Sequence, residues 1–289
     1  MKSLLNTTSR SSVFVILRCI FFWSLFEVLL FALAPVAPMF PGMWSKLVYG
    51  IWGALSAILI TWLFLRYENR SFRAIGLVWD SGTGMRFFKG LLIGSGIFGA
   101  ILLALLSLTP LQLQLNSKPF EPSALVGYLA FIPLSLMEEI AFRSYPFIKL
   151  HNRFGLRITQ VIVAIVFALY HVVGGQSVWS SFLGPGIYAF VFGLAAVWSG
   201  GIAMPFGIHL ALNLLQPLVG MKGGVGSVWV LSYKNGIQVS QLAKADTIGM
   251  AMQLVVLSAA ILLTEYHLHN RNEKRSEAAQ DIYTRKIVS

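Results

Sequence analysis

The stretch SLMEEIAFRSYPF, residues 135–147, sets two adjacent glutamates and an arginine inside a long apolar run. Its surroundings decide how to read it. Of the 289 residues, 56% are hydrophobic and only 11% charged, and the mean hydropathy is +0.73. That composition lies outside the range of soluble domains and belongs to a membrane protein. The run is therefore read as a membrane span, where an ionisable side chain costs on the order of 3 kcal/mol or more and marks a functional candidate.

Working outward, stretches of about 20 apolar residues, enough to cross the hydrocarbon core, recur near residues 13–35, 47–65, 90–109, 124–148, 158–175, 183–199, 202–219 and 246–264. The expected fold class is an all-α, polytopic transmembrane helical bundle of about eight spans. Lys2 and Arg10 precede the first run, and ALAPVA resembles a signal-peptidase site, but the run is long and carries Arg18 and Glu27, so it reads as a retained span. With the N-terminus inside, fifteen Lys and Arg fall in the inner connections and tails and five in the outer ones: Lys46, Lys118, Lys222, Lys234 and Lys244. This asymmetry predicts a multi-pass protein of the cell membrane with both termini cytoplasmic. The net charge of +11 then reflects basic inner loops, and nucleic acid is excluded as a partner. The single cysteine, Cys19, rules out a disulfide framework within the chain.

Two local patterns carry no chemistry. Gly90 and Gly94 form a GxxxG close-packing device in the third run. DSGTG, residues 80–84, lacks the strand–turn–helix context of a phosphate loop and reads as a turn. In the outer connection 220–245, GSVWVLSY followed by KNG suggests a short hairpin or an interfacial segment anchored by Trp229 and Tyr233. The mixed-charge tail after residue 270 reads as solvated.

The ionisable residues within spans are Arg18, Glu27, Glu138, Glu139, Arg143, His171 and His209, with Asn213 beside the last. Arg18 lies near the inner end of its span and can snorkel. Glu27 is deeper and stays unassigned. Glu139 and Arg143 are spaced i, i+4 and can pair along a helix, whereas Glu138 is rotated by about 100° and faces another neighbour. His209 and Asn213 again share a helix face. Pro133 and Pro146 flank the glutamates and free backbone carbonyls, which is tolerated where a helix lines a polar cavity.

A glutamate, two histidines and an asparagine at bilayer depth suit hydrolysis of an amide. Glu138 with His171 can hold and deprotonate a water, and His209 with Asn213 can donate to the oxyanion that forms. A metal reading competes: Glu138, His171 and His209 have the composition of a two-histidine, one-carboxylate zinc site, although the HExxH signature is missing and asparagine is a poor zinc ligand. The residues leave both readings open.

EEIAFR (Glu138 to Arg143), FALYH (Phe167 to His171) and HLALN (His209 to Asn213) resemble, in this order, the EExxxR, FxxxH and HxxxN motifs of the type II CAAX prenyl endopeptidase and bacteriocin-processing (CPBP) family of intramembrane proteases. The resemblance covers residues 120–220. It implies a helical intramembrane protease core with a cavity open toward the cytoplasm, and a peptide or protein substrate in the lipid bilayer, prenylated in the CAAX-type members. It also implies Glu138 as the catalytic glutamate, His171 as its water-binding partner, His209 and Asn213 as the oxyanion site, and Glu139 and Arg143 as structural support. Whether the family needs one divalent metal or none is the ambiguity already met. The domain reading that follows is N-terminal helices over 1–119, a catalytic core over 120–220, and an outer loop, last helix and tail over 221–289. Two other classes remain open: a non-catalytic scaffold or immunity protein, and a proton-coupled transporter.

Overall fold

The computed structural model describes residues 12–33, 35–118, 120–223, 225–233 and 239–288. Lys2, Arg10 and Lys234, Ala34 within ALAPVA, and the KNG segment 234–236 lie outside them. In chain order the elements are α1 (Ser12–Leu33), α2 (Met43–Tyr67), α3 (Thr83–Leu108), β1 (Leu111–Leu115), α4 (Ser123–Arg143) and α5 (Tyr145–Val173). There follow α6 (Val178–Ser181), a π-turn (Phe182–Gly186), α7 (Ile187–Ser199), α8 (Ala203–Leu218), β2 (Trp229–Tyr233) and α9 (Val239–Val288). Among the described residues, six helical stretches are long and apolar enough to cross a membrane. The number differs from eight because α4 and α5 run together as one stretch and α8, with 16 residues, is short. The protein is an all-α, multi-pass membrane bundle.

The fourth apolar run was expected to continue to residue 148, but the helix stops at Arg143. Ser144 leaves helical geometry (φ −99°, ψ −110°), and Pro146 falls in the first turn of α5, where a missing N–H removes no helical bond. Pro146 therefore starts a helix rather than opening one. A second break falls at Gly155 (φ 78°, ψ 175°), a conformation open to glycine alone. It separates residues 145–154, whose Tyr145, Phe147 and Leu150 are buried, from the spanning part of α5.

Two helix pairs meet through glycines. A Cβ on Gly90 would stand 2.2 Å from the Met204 carbonyl oxygen, and one on Gly94 would stand 2.6 Å from that of Ile208, so α3 and α8 touch backbone to backbone. On the other side, a Cβ on Gly53 would stand 2.1 Å from the Met137 sulfur, which seats α4 against α2. These contacts set the positions of the two helices that carry Glu138 and His209.

The strand Trp229–Tyr233 does not fold on itself. It pairs antiparallel with β1, Leu111 opposite Tyr233 and Leu115 opposite Trp229. The local-hairpin expectation is corrected here, and the signal missed was the alternation LQLQL, residues 111–115, a two-residue period within a connection. DSGTG is a turn that leads into α3: the Asp80 carboxylate accepts from the Gly82 N–H at 2.9 Å and from Arg86 Nη2 at 2.6 Å.

Arg18 does not snorkel. It pairs with Glu68 at the end of α2, and the same carboxylate receives the Lys149 ammonium and, at 2.7 Å, the Tyr145 hydroxyl. One carboxylate thus ties α1, α2 and α5 together. Burial alone would raise the Glu68 pKa, but the contacts from Lys149, Tyr145 and Arg18 outweigh it and hold the group below the ordinary carboxylate range.

Gly90→Val forces α3 off α8 and is expected to lower stability by about 2 kcal/mol, read as a fall in Tm in detergent. Because the folded pKa of Glu68 is depressed, its stabilisation is fully present above about pH 4.3 and is lost as pH falls through the lower folded value. Glu68→Gln should flatten that acid limb of the stability profile and leave the neutral-pH dependence unchanged.

Candidate active site

α4 delivers its two glutamates to different surroundings. Glu139 is wholly buried; its Oε1 lies 2.7 Å from His209 Nδ1 and its Oε2 lies 3.6 Å from Arg143 Nε. Glu138, one residue earlier, is 9% exposed and lines a cavity of about 350 Å³. Its Oε2 stands 3.6 Å from His209 Nε2 and 3.9 Å from His171 Nε2. Three helices, α4, α5 and α8, thus bring Glu138, His171 and His209 together around one carboxylate oxygen.

The ring orientations are held from behind. His171 Nδ1 lies 2.8 Å from the Phe167 carbonyl oxygen. A carbonyl only accepts, so Nδ1 carries the hydrogen and Nε2 of the neutral ring is bare toward Glu138. His209 gives its Nδ1–H to the Glu139 carboxylate, and its ring stacks on Phe192 with centroids 4.7 Å apart. Arg143 balances Glu139 without close hydrogen bonds: its guanidinium carbon sits 4.3 Å from the Phe167 ring centroid and 4.9 Å from that of Phe192. Cation–π attraction of this kind strengthens where water is excluded.

Asn213, one turn beyond His209, donates from Nδ2 to Ser135 Oγ at 3.0 Å, and its Oδ1 accepts from Lys222 Nζ at 3.4 Å. The amide is oriented at both ends, with its second N–H free. Reading the sequence missed both partners. Ser135 precedes Glu138 by three residues, a spacing that puts them on one helix face. Lys222 carries no sequence signal, because the connection after α8 must fold back before its side chain meets Asn213. Glu27, left unassigned, lines the same cavity from α1, together with Tyr49 of α2 and Tyr170 and Gln176 near the end of α5.

The zinc alternative fits in donor type and in the hydrogen bonds behind each ring, which suit metal-binding imidazoles. It does not fit in placement. Among the described residues, no three His, Cys, Asp or Glu side chains gather closely enough to hold a metal ion, so no step is derived through one.

Residues 120–215 match the family model described as type II CAAX prenyl endopeptidase Rce1-like. No curated protein matches the chain. The matched segment contains α4, α5, α6, α7 and most of α8, the helices that carry Glu138, His171, His209 and Asn213. Over residues 120–215, the segment that carries these side chains, the chain is similar to the Rce1-like type II CAAX prenyl endopeptidase family.

Proposed function

We propose that the protein is a CAAX-type intramembrane endopeptidase in which Glu138 and His171 activate a water and His209 and Asn213 receive the oxyanion. The observation that carries this reading is the pair of acceptors, Glu138 Oε2 and His171 Nε2, 3.9 Å apart. Two acceptors cannot bond each other, but a water placed between them donates one hydrogen to each and turns its lone pair outward. Glu138 takes a proton as the water oxygen adds to the scissile carbonyl carbon. The carbonyl π-electrons pass to its oxygen, and the oxyanion is met by the free Asn213 N–H and by His209. Because His209 Nδ1–H is committed to Glu139, its Nε2 donates only as an imidazolium, whose charge lies against the Glu139 carboxylate. The C–N bond then breaks, the departing nitrogen takes the proton from Glu138, and a carboxylic acid and an amine leave. A preorganised donor of this kind is worth about 3 kcal/mol of barrier.

Lys222 and Ser135 act through Asn213 by fixing which end of its amide faces the substrate. Glu139 and Arg143 act through His209 and the helix packing. The substrate is a peptide bond of a membrane-associated protein, with prenylated CAAX termini the family's own example.

Comparison of protein termini in membranes carrying the wild-type chain or Glu138→Gln tests the reading. A defined set of cleaved termini should fall by about a hundredfold or more in the variant; unchanged termini with an unchanged phenotype would leave the scaffold reading instead. On a purified substrate, Lys222→Met should lower kcat by about tenfold with KM unchanged, as expected for a loosened transition-state donor. Treatment with a chelator should leave cleavage intact. Loss of cleavage that zinc restores would transfer water activation to a metal.

A further inference from the structure

The four helices around the cavity pass through the same layers in the same order. At one end lies the ionic cluster of Arg18, Glu68, Tyr145 and Lys149. Next comes an aromatic layer of the buried Phe22, Phe26, Phe142 and Phe167, which the half-buried Phe64 of α2 joins edge-on to Phe22 with centroids 5.3 Å apart; the Trp23 Nε1–H, donating to the Ala141 carbonyl at 3.1 Å, closes it. Beyond that layer lies the cavity: Glu27 and Phe31 follow it on α1, Tyr49 precedes it on α2, Glu138 precedes it on α4, and Tyr170 and His171 follow it on α5. The lining continues to Gly174 and Gln176 in the connection between α5 and α6, where Gln176 is exposed. The mouth is therefore at the end of the bundle that holds the α1–α2, α3–α4, α5–α6 and α8–α9 connections. Lys222, which bonds Asn213, comes from the last of these.

That end is the poor one in positive charge. Among the described residues, its connections and flanking turns carry four Lys, while the opposite end and the part of α9 that continues past it carry thirteen Lys and Arg. The excess of Lys and Arg sets the cytoplasmic side of a polytopic chain. The aromatic layer and the ionic cluster separate the cavity from that side.

We propose that the cavity is entered from the extracytoplasmic face, so that the substrate is a peptide segment exposed on that face, such as the outer juxtamembrane stretch of an anchored or exported protein. This specifies the substrate class of the protease reading above and rests on it, and it reverses the cytoplasmic opening that the family resemblance implied.

Accessibility decides the question without reference to activity. In a Cys19→Ser background, Gln176→Cys at the mouth and Ser71→Cys at the opposite end are each exposed to a membrane-impermeant maleimide in right-side-out vesicles. Gln176→Cys should be labelled in sealed vesicles and Ser71→Cys only after the vesicles are opened. The reverse pattern, or equal labelling of both in sealed vesicles, overturns the proposal. The same labelling in the Glu138→Gln background gives the access face even if that variant shows the chain not to be a protease. Where cleavage is observed, modification of Gln176→Cys by a bulky impermeant thiol reagent from outside should lower it by about tenfold or more. Unaltered cleavage after complete labelling would also overturn the proposal.

Discussion

The hydrogen bond from His209 Nδ1 to the buried Glu139 carboxylate, 2.7 Å long, is the constraint on which the rest of the site depends. It joins α8 to α4 where neither group has water to turn to, and it leaves only Nε2 of His209 to face Glu138. Removing either partner would strand a buried charge or a buried donor, which is strongly destabilising. Arg143 supplies the opposite charge, and the faces of Phe167 and Phe192 take the place of the solvent it has lost. The same two rings pack against His171 and His209. The aromatic shell therefore holds the cation and aims the imidazoles together.

Such a cluster holds its geometry only if the helices cannot slide. The glycines at 90 and 94 bring α3 against α8 backbone to backbone, closer than any larger residue allows, and Gly53 makes room on α2 for the Met137 side chain of α4. α5 is positioned differently: the Gly155 break frees its spanning part from the buried segment that follows α4, and the Phe167 carbonyl then fixes the His171 ring. α4 and α8 are thus each anchored by a contact the site itself does not use. The adjacent glutamates lie where two surroundings part. Glu139 faces Arg143 and His209 inside the bundle, while Glu138 faces the cavity.

Much of this was legible in the residues. Long apolar runs gave the bundle, because burial of backbone polar groups in lipid leaves the helix as the economical spanning form for such runs. The i, i+4 spacing of Glu139 with Arg143 placed them on one face, and the GxxxG of α3 marked a close approach. Features that depend on tertiary return of the chain were not legible. Arg18 was read as snorkelling because nothing local shows that Glu68, fifty residues later, lies beside it. Trp229–Tyr233 was given a local turn because its partner strand lies more than a hundred residues earlier. Lys222 passed as a loop charge, and Glu27 gained a setting only when α1 was seen to line the cavity.

The site depends on Glu139 fixing the protonation and orientation of His209, and ¹⁵N NMR of histidine-labelled protein in lipid bilayers reads this directly. In the wild-type chain, His209 should show a protonated, strongly hydrogen-bonded Nδ1 that couples to the Glu139 carboxylate, and Glu139→Gln should abolish that signature. A His209 ring whose nitrogens exchange hydrogens as in free imidazole, with a spectrum indifferent to Glu139→Gln, would contradict it.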